Sequence, residues 1–282
     1  MESERNLEWL YLYGVVRRSA IDFSRVAGVE GGCDVSLVCQ GELACAASPV
    51  SHADYGREAL EAPAGQLDWL APRAIRHQEV VQRLRETGAV VPLRFGTLCP
   101  TAEDVRQLLQ ERHQPLLQSL VFLQDREEWG VKVFADPDLA GQAPGQLSGA
   151  TDEPPPASPG KAYFLNKVKR KLAHERTLLR LAELDREIWA RLLPYAVEAR
   201  RHRCRDAAPG APQLPVLSAA LLLDRGRQPA LAELAGQLEA EYRSCGVTVQ
   251  LSGPWAAYSF CPDLGPVPAA GDAVREPERC AS

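Results

Sequence analysis

The chain has 282 residues, 45% of them hydrophobic and 24% charged, a balance typical of folded domains that excludes a disordered or fibrous bulk. At roughly 150 residues per domain, this length points to two units, each able to bury its own core. The net charge of −5 argues against general nucleic-acid binding. No run approaches the roughly 18 apolar residues of a membrane span, and the acidic, polar start does not read as a signal peptide, so a soluble cytoplasmic protein is expected.

Glu8 to Val16 (EWLYLYGVV) is aromatic and β-branched, which suits a core strand. Cys33 to Cys39 and Glu42 to Ala47 flank Gln40-Gly41, a short polar hinge that predicts a β-hairpin. Gln66 to Thr87 carries Leu67, Leu70, Ala74, Val80, Val81 and Leu84 at helical spacing; Pro72 predicts a late start or an early break. Ala89 to Phe95 reads as a short strand. Thr101 with Glu103 and Asp104 has the chemistry of a helix N-terminus, and Val105, Leu108, Leu109, Leu116, Leu117 and Leu120 form its core stripe. Glu128 to Phe134 (EWGVKVF) closes the half as a strand, giving an N-terminal α+β domain over residues 1–135.

Residues 136–160 are rich in Pro, Gly, Ser and Ala and contain Pro154-Pro155-Pro156, which suits a linker. A long helix over Ala162 to Leu193 follows, with Leu165, Val168, Leu172, Leu178, Leu181, Leu184, Ile188 and Leu192 on one broad face. A strand near 196–203, a strand at 216–224, a helix over 229–244 and a strand at 247–251 complete a C-terminal α+β domain over 161–262. Residues 263–282 lack a core pattern and read as a flexible tail. Both halves combine an antiparallel sheet with helices, a ferredoxin-like arrangement in which helices cover one sheet face.

Charge is unevenly placed. Residues 161–205 hold thirteen Lys/Arg against five Asp/Glu, which leaves −13 for the remainder of the chain. The stretch is either the solvated face of a long helix or a docking surface for an acidic partner. The eight cysteines include no C-x-x-C pair, and the even spacing of Cys33, Cys39 and Cys45 is interrupted by the turn at Gln40-Gly41, so no metal site is expected. His52, His77, His113, His174 and His202 are scattered without metal or nucleophile spacing and read as surface or capping residues. Phosphate loops, nucleophile elbows and dinucleotide turns do not occur. Catalytic residues, cofactors and a small-molecule substrate are therefore not expected.

Three clusters are more specific: VPLRFGT at Val91 to Thr97, EWGVKVF at Glu128 to Phe134, and LSGPWAAYSF at Leu251 to Phe260. As architecture, Pro92 belongs at a strand edge or start, Gly96 permits a sharp exit, and Arg94 and Phe95 close that corner by pairing and packing. Gly253 and Pro254 turn the chain while Trp255 covers the core edge, with Tyr258 and Phe260 packing behind it. Trp129 belongs to the middle cluster. With LYLYGVV at the start and ALLLDR at Ala220 to Arg225, these motifs in this order resemble the gas vesicle F/L family over residues 8–260.

The resemblance implies a non-enzymatic gas vesicle assembly protein, a minor vesicle component or chaperone-like partner. Its expected partners are the major shell protein and other minor vesicle proteins, and its expected location is the gas vesicle and the cytoplasm. Pro92, Arg94, Phe95, Gly96, Trp129, Gly253, Pro254 and Trp255 are then mainly structural residues with partner contact as a second role, and the N-terminal half is the expected contact region. Two other classes are weighed against this reading. An RNA-binding ferredoxin-like module needs paired stacking aromatics that LRFGTL at Leu93 to Leu98 does not supply. An enzyme would need an interdomain pocket with convergent ionisable groups.

Overall fold

The computed structural model describes residues 8–19, 21–23, 26–32, 35–51, 55, 67–140, 159–204 and 211–262. Most of the expected linker and all of the expected tail, with Cys33 and His52, lie outside them. Contacts divide the chain into two units, Met1–Glu127 with Ala256–Ser282, and Glu128–Trp255. This division differs from the expected one at 136–160, because a Pro/Gly-rich composition marks irregular backbone and not the place where packing changes partners.

The first unit is built on a five-stranded sheet. Strands β1 (Glu8–Arg17), β2 (Ser36–Gln40), β3 (Leu43–Ser51) and β4 (Val91–Pro92) lie in the order β2-β3-β1-β4, and β5 (Leu98–Cys99) also pairs with β1. All the recorded pairings are antiparallel, and β2 and β3 form the predicted hairpin. The expected strand over 89–95 contributes only two ladder residues. Pro92 has no N–H to continue the ladder, and the chain keeps its place through Leu93 N–H donating to the Tyr13 carbonyl at 2.9 Å.

Helix α1 (Leu67–Arg85) runs through Pro72, which sits early enough that few ladder bonds are lost. The predicted helix after Thr101 is two helices, α2 (Ala102–Glu111) and α3 (His113–Phe122), meeting at Arg112. Pro115 accounts for the break, since it cannot donate to the carbonyl four residues back. The Thr101 cap is as predicted: its hydroxyl accepts from Asp104 N–H at 3.1 Å. Tyr11, Leu12 and Tyr13 are consecutive and all fully buried. Successive strand residues point to opposite faces, so both faces of this sheet are covered. That corrects the expectation of helices on one face.

The second unit holds a four-stranded sheet in the order β7-β8-β6-β9, formed by β6 (Arg126–Ala135), β7 (Glu198–Arg201), β8 (Leu214–Asp224) and β9 (Thr248–Trp255). Strand β6, expected to close the first half, pairs instead with β9 from Glu128↔Trp255 to Phe134↔Thr248. Its Val131, Val133 and Ala135 are buried in the second core; alternation told which residues point inward but not into which core. The short α4 (Pro137–Ala140), the long α5 (Pro159–Leu192) and α6 (Gln228–Glu241) complete the unit.

Helix α5 corrects the single-stripe expectation. Leu184, Ile188 and Leu192 are buried with α6's Leu231, Leu234 and Leu238, whereas Val168, Leu172 and Leu178 are 39%, 47% and 50% exposed. Among its described side chains the helix is packed toward its C-terminal end, and Val168, Leu172 and Leu178 enter no core.

Candidate functional site

Two motif corners and one buried polar network carry the features available for function. In the first unit, Tyr11 and Tyr13 lie two residues apart on β1 and therefore face the same side, toward α1. Tyr11 Oη pairs with His77 Nδ1 at 2.9 Å, and His77 Nε2 with Tyr258 Oη at 3.0 Å. Gln78 donates to the same Tyr258 oxygen at 3.2 Å. Tyr13 Oη accepts from Val29 N–H at 2.9 Å and pairs with Ser48 Oγ at 2.7 Å. The rings pack closely, with Tyr13 and His77 stacked at 5.6 Å and Phe95 edge-on to both Tyr11 and His77 at 5.8 Å.

Burial sets the protonation of this network. Desolvation pushes His77 down to about 4, against a smaller opposing pull from the Leu93 carbonyl, and raises Tyr11 well above the ordinary phenol range. A neutral imidazole offers one donor and one acceptor, and phenol hydroxyls can serve as either. With Tyr11 and His77 only 0% and 1% exposed, no solute reaches them. The network ties β1, α1 and the returning segment at Tyr258 together. Tyr13→Phe leaves the Val29 N–H and the Ser48 hydroxyl short of a partner, and a loss of about 1–3 kcal/mol is expected in urea unfolding followed by tryptophan emission.

A second polar cluster borders the first. Glu30 receives Arg73 at 3.3 and 3.0 Å and the Tyr55 hydroxyl at 2.5 Å. Although burial opposes it, these hydrogen bonds and the Arg73 charge hold the Glu30 carboxyl below its ordinary value. Arg73 also lies 4.3 Å over the Trp69 ring. Helix α1 thus turns His77 to the Tyr11 hydroxyl of the sheet beneath it and Arg73 to Glu30 and Tyr55. Among the described residues, no three His, Cys, Asp or Glu side chains converge as a metal would need.

The structure brings the sequence motifs together in two places. Pro92, Phe95 and Gly96 make the corner between β4 and β5. Gly96 has φ 84 and its N–H donates to Tyr11 Oη at 3.0 Å, and Thr97 closes the turn on the Arg94 carbonyl through its N–H at 3.1 Å and its hydroxyl at 2.7 Å. Arg94 does not close the corner as expected. Its side chain is exposed and, among the described residues, makes no ion pair, because backbone groups and the Thr97 hydroxyl already fill that role.

The other corner joins Trp129, Gly253, Pro254 and Trp255. The register of β6 on β9 shifts between Glu128 and Gly130, which sets Gly253 against the Trp129 ring. Gly253 has φ 145, and a Cβ there would lie 3.0 Å from the Glu128 carbonyl oxygen and 3.0 Å from Trp129 Cδ2. Trp255, expected to cover the core edge, is 46% exposed; its indole N–H reaches Ser252 Oγ at 3.4 Å. The LSGPWAAYSF cluster is divided between the units. LSGPW belongs to β9, while Ala256, Ala257 and Phe260 are buried in the segment assigned to the first unit.

His77 is the residue that sequence reasoning misplaced. Its isolation in the sequence reads as a surface or capping residue, yet it is buried on the inward face of α1 with Val80, Val81 and Leu84. The available signal was its helical register with those residues, opposite two tyrosines alternating on a strand.

Comparison with known proteins places these corners in context. Residues 9–262 match the family of gas vesicle synthesis protein GvpL/GvpF. Gas vesicle protein L of Streptomyces sp. (strain CB03234) is 32% identical over 251 residues, covering 89% of this chain and 91% of that protein. Gas vesicle protein L of Haloferax mediterranei is 26% identical over 216 residues, covering 73% of this chain and 65% of that protein. The crystal structure of the gas vesicle protein GvpF from Anabaena sp. PCC7120 superposes with a TM-score of 0.64 at 19% identity, over 91% of this chain and 97% of that one. At that identity the likeness concerns the fold.

Proposed function

Because the chain belongs to the gas vesicle synthesis protein GvpL/GvpF family, we propose that it is a non-enzymatic assembly partner that binds the hydrophobic gas vesicle shell protein and other accessory vesicle proteins. The observation that carries this reading is the family match over residues 9–262, which takes in both motif corners and both units. A shell subunit that forms a gas-tight wall exposes apolar surface before assembly, and such surface aggregates unless covered. A partner in the cytoplasm holds that surface until it joins the growing vesicle. The second unit, with β6, α5, β7, β8, α6 and β9 in that order, is the half we read as ferredoxin-like.

Contact is assigned to the first unit. Helix α3 and the start of β6 frame an apolar groove of about 500 Å3 lined by Leu117, Gln118, Val121, Phe122 and Arg126; Val121 is 63% exposed. Such a groove suits an apolar helix face, and Arg94 adds an exposed guanidinium of the kind enriched at interface hot spots. Val121→Asp is expected to weaken binding of the full chain to the shell protein by about tenfold or more while leaving its unfolding transition in place, since the side chain already faces solvent. Surface-plasmon titration and urea unfolding of the same variant check both halves of that statement. Cells forming gas vesicles are expected to lose them when this chain is deleted and to regain them with the wild-type chain. Undiminished vesicle formation without it would overturn the reading.

A further inference from the structure

Helix α5 has two apolar faces. At about 100° per residue, Thr177, Leu184 and Ile188 share one side, and all three are buried. Val168, Leu172 and Leu179 fall on the opposite side, within about 40° of one another, and are 39%, 47% and 67% exposed. Every residue from 171 to 176 is exposed.

The outer face follows a heptad. Leu172 and Leu179 take one position of the seam, Val168 and Glu175 the other, so the seam is apolar at three of its four positions; Lys171 and Arg176 take flanking positions that pair with a partner helix in a coiled coil. Between 167 and 179 five Lys/Arg stand against the single acid Glu175. Glu175 lies 3.9 Å from Lys171 with both side chains mostly exposed, a pair that solvent screens.

We propose that this outer seam of α5 docks an amphipathic, acidic α-helix of another protein over about two heptads. The charges select the occupant. A second copy of the same helix would set Lys171 and Arg176 against basic flanking residues, which repel. A helix with Glu or Asp in those positions completes each pair while its apolar seam covers Val168, Leu172 and Leu179. The assignment does not depend on binding of the shell protein, which is placed on the first unit.

The test titrates the full chain by calorimetry with a synthetic helix of about 21 residues carrying Leu in the seam and Glu at the flanking positions. Saturable one-to-one binding that weakens with salt is expected. Leu172→Ser with Leu179→Ser, and separately Lys171→Glu with Arg176→Glu, should each weaken it about tenfold or more, and the charge-reversed chain should instead take a peptide with Lys at the flanking positions. Circular dichroism should be unchanged in both variants, since the substituted side chains are exposed. The proposal is overturned by absence of binding, or by equal binding of a permuted peptide of the same composition. It is also overturned if the serine variant dissolves a dimer seen by sedimentation, or if anionic vesicles are captured and the peptide is not.

Discussion

Replacing Gly253 by alanine is expected to destabilise the protein by about 2–5 kcal/mol, combining the strain of a left-handed non-glycine residue with overpacking. The backbone there has φ 145, and the added methyl would meet the Glu128 carbonyl and the Trp129 ring at 3.0 Å. Neither neighbour yields easily. The carbonyl belongs to the β6 backbone at its register shift, and the Trp129 ring packs against the second core. Relief would require β9 to move off β6. The measurement is the urea midpoint by tryptophan emission, compared with Gly236→Ala. Gly236 lies in α6 with no atom within 4 Å of its added Cβ, so alanine there should be neutral or stabilising. Equal midpoints for the two variants would show that the corner is not held as described.

The second large effect is a dependence on pH through His77. Its folded value of about 4 lies below the ordinary 6.5, so between those values the unfolded chain binds a proton that the folded chain does not. This contribution is fully present above pH 6.5 and is lost as pH falls toward 4, at up to about 1.4 kcal/mol per pH unit and about 3 kcal/mol in all. His77→Gln removes the titration. It should be less stable than wild type at pH 7.5, because the links to Tyr11 and Tyr258 are disturbed, but should lose less on acidification. Parallel stability slopes for the two proteins between pH 6.5 and 4.5 would refute the assignment.

Much of this architecture was legible in the sequence because its signals are local. Thr101 caps α2, the predicted hairpin forms with its turn at Gly41-Glu42, one residue past the expected Gln40-Gly41, and the α, β, β, α, β order over 161–262 stands as read. What failed depends on distant partners. The alternation of Val131, Val133 and Ala135 shows a strand with an inward face but is silent on whether the partner is β1 or β9. The leucines of α5 have helical spacing throughout, yet spacing alone does not tell that the same chemistry is core at Leu184 and surface at Leu172.

The motif residues follow the same division. Gly96, Gly253 and Pro92 were readable as corners because turn geometry is written in residue type. Arg94 was not, since whether an arginine closes a turn depends on competing donors; here Thr97 and the backbone supply them. His77 was hidden because histidine is ambivalent, and its burial follows from three tyrosines, one of which is 181 residues away.

The most direct test of the assembly role is binding of the purified full-length chain to the major gas vesicle shell protein, held soluble below its assembly concentration. Saturable binding, weakened by Val121→Asp and Arg94→Ala in otherwise stably folded protein, is the predicted result. Absence of binding by the folded wild-type chain, at concentrations where the shell protein itself remains competent to assemble, would contradict it.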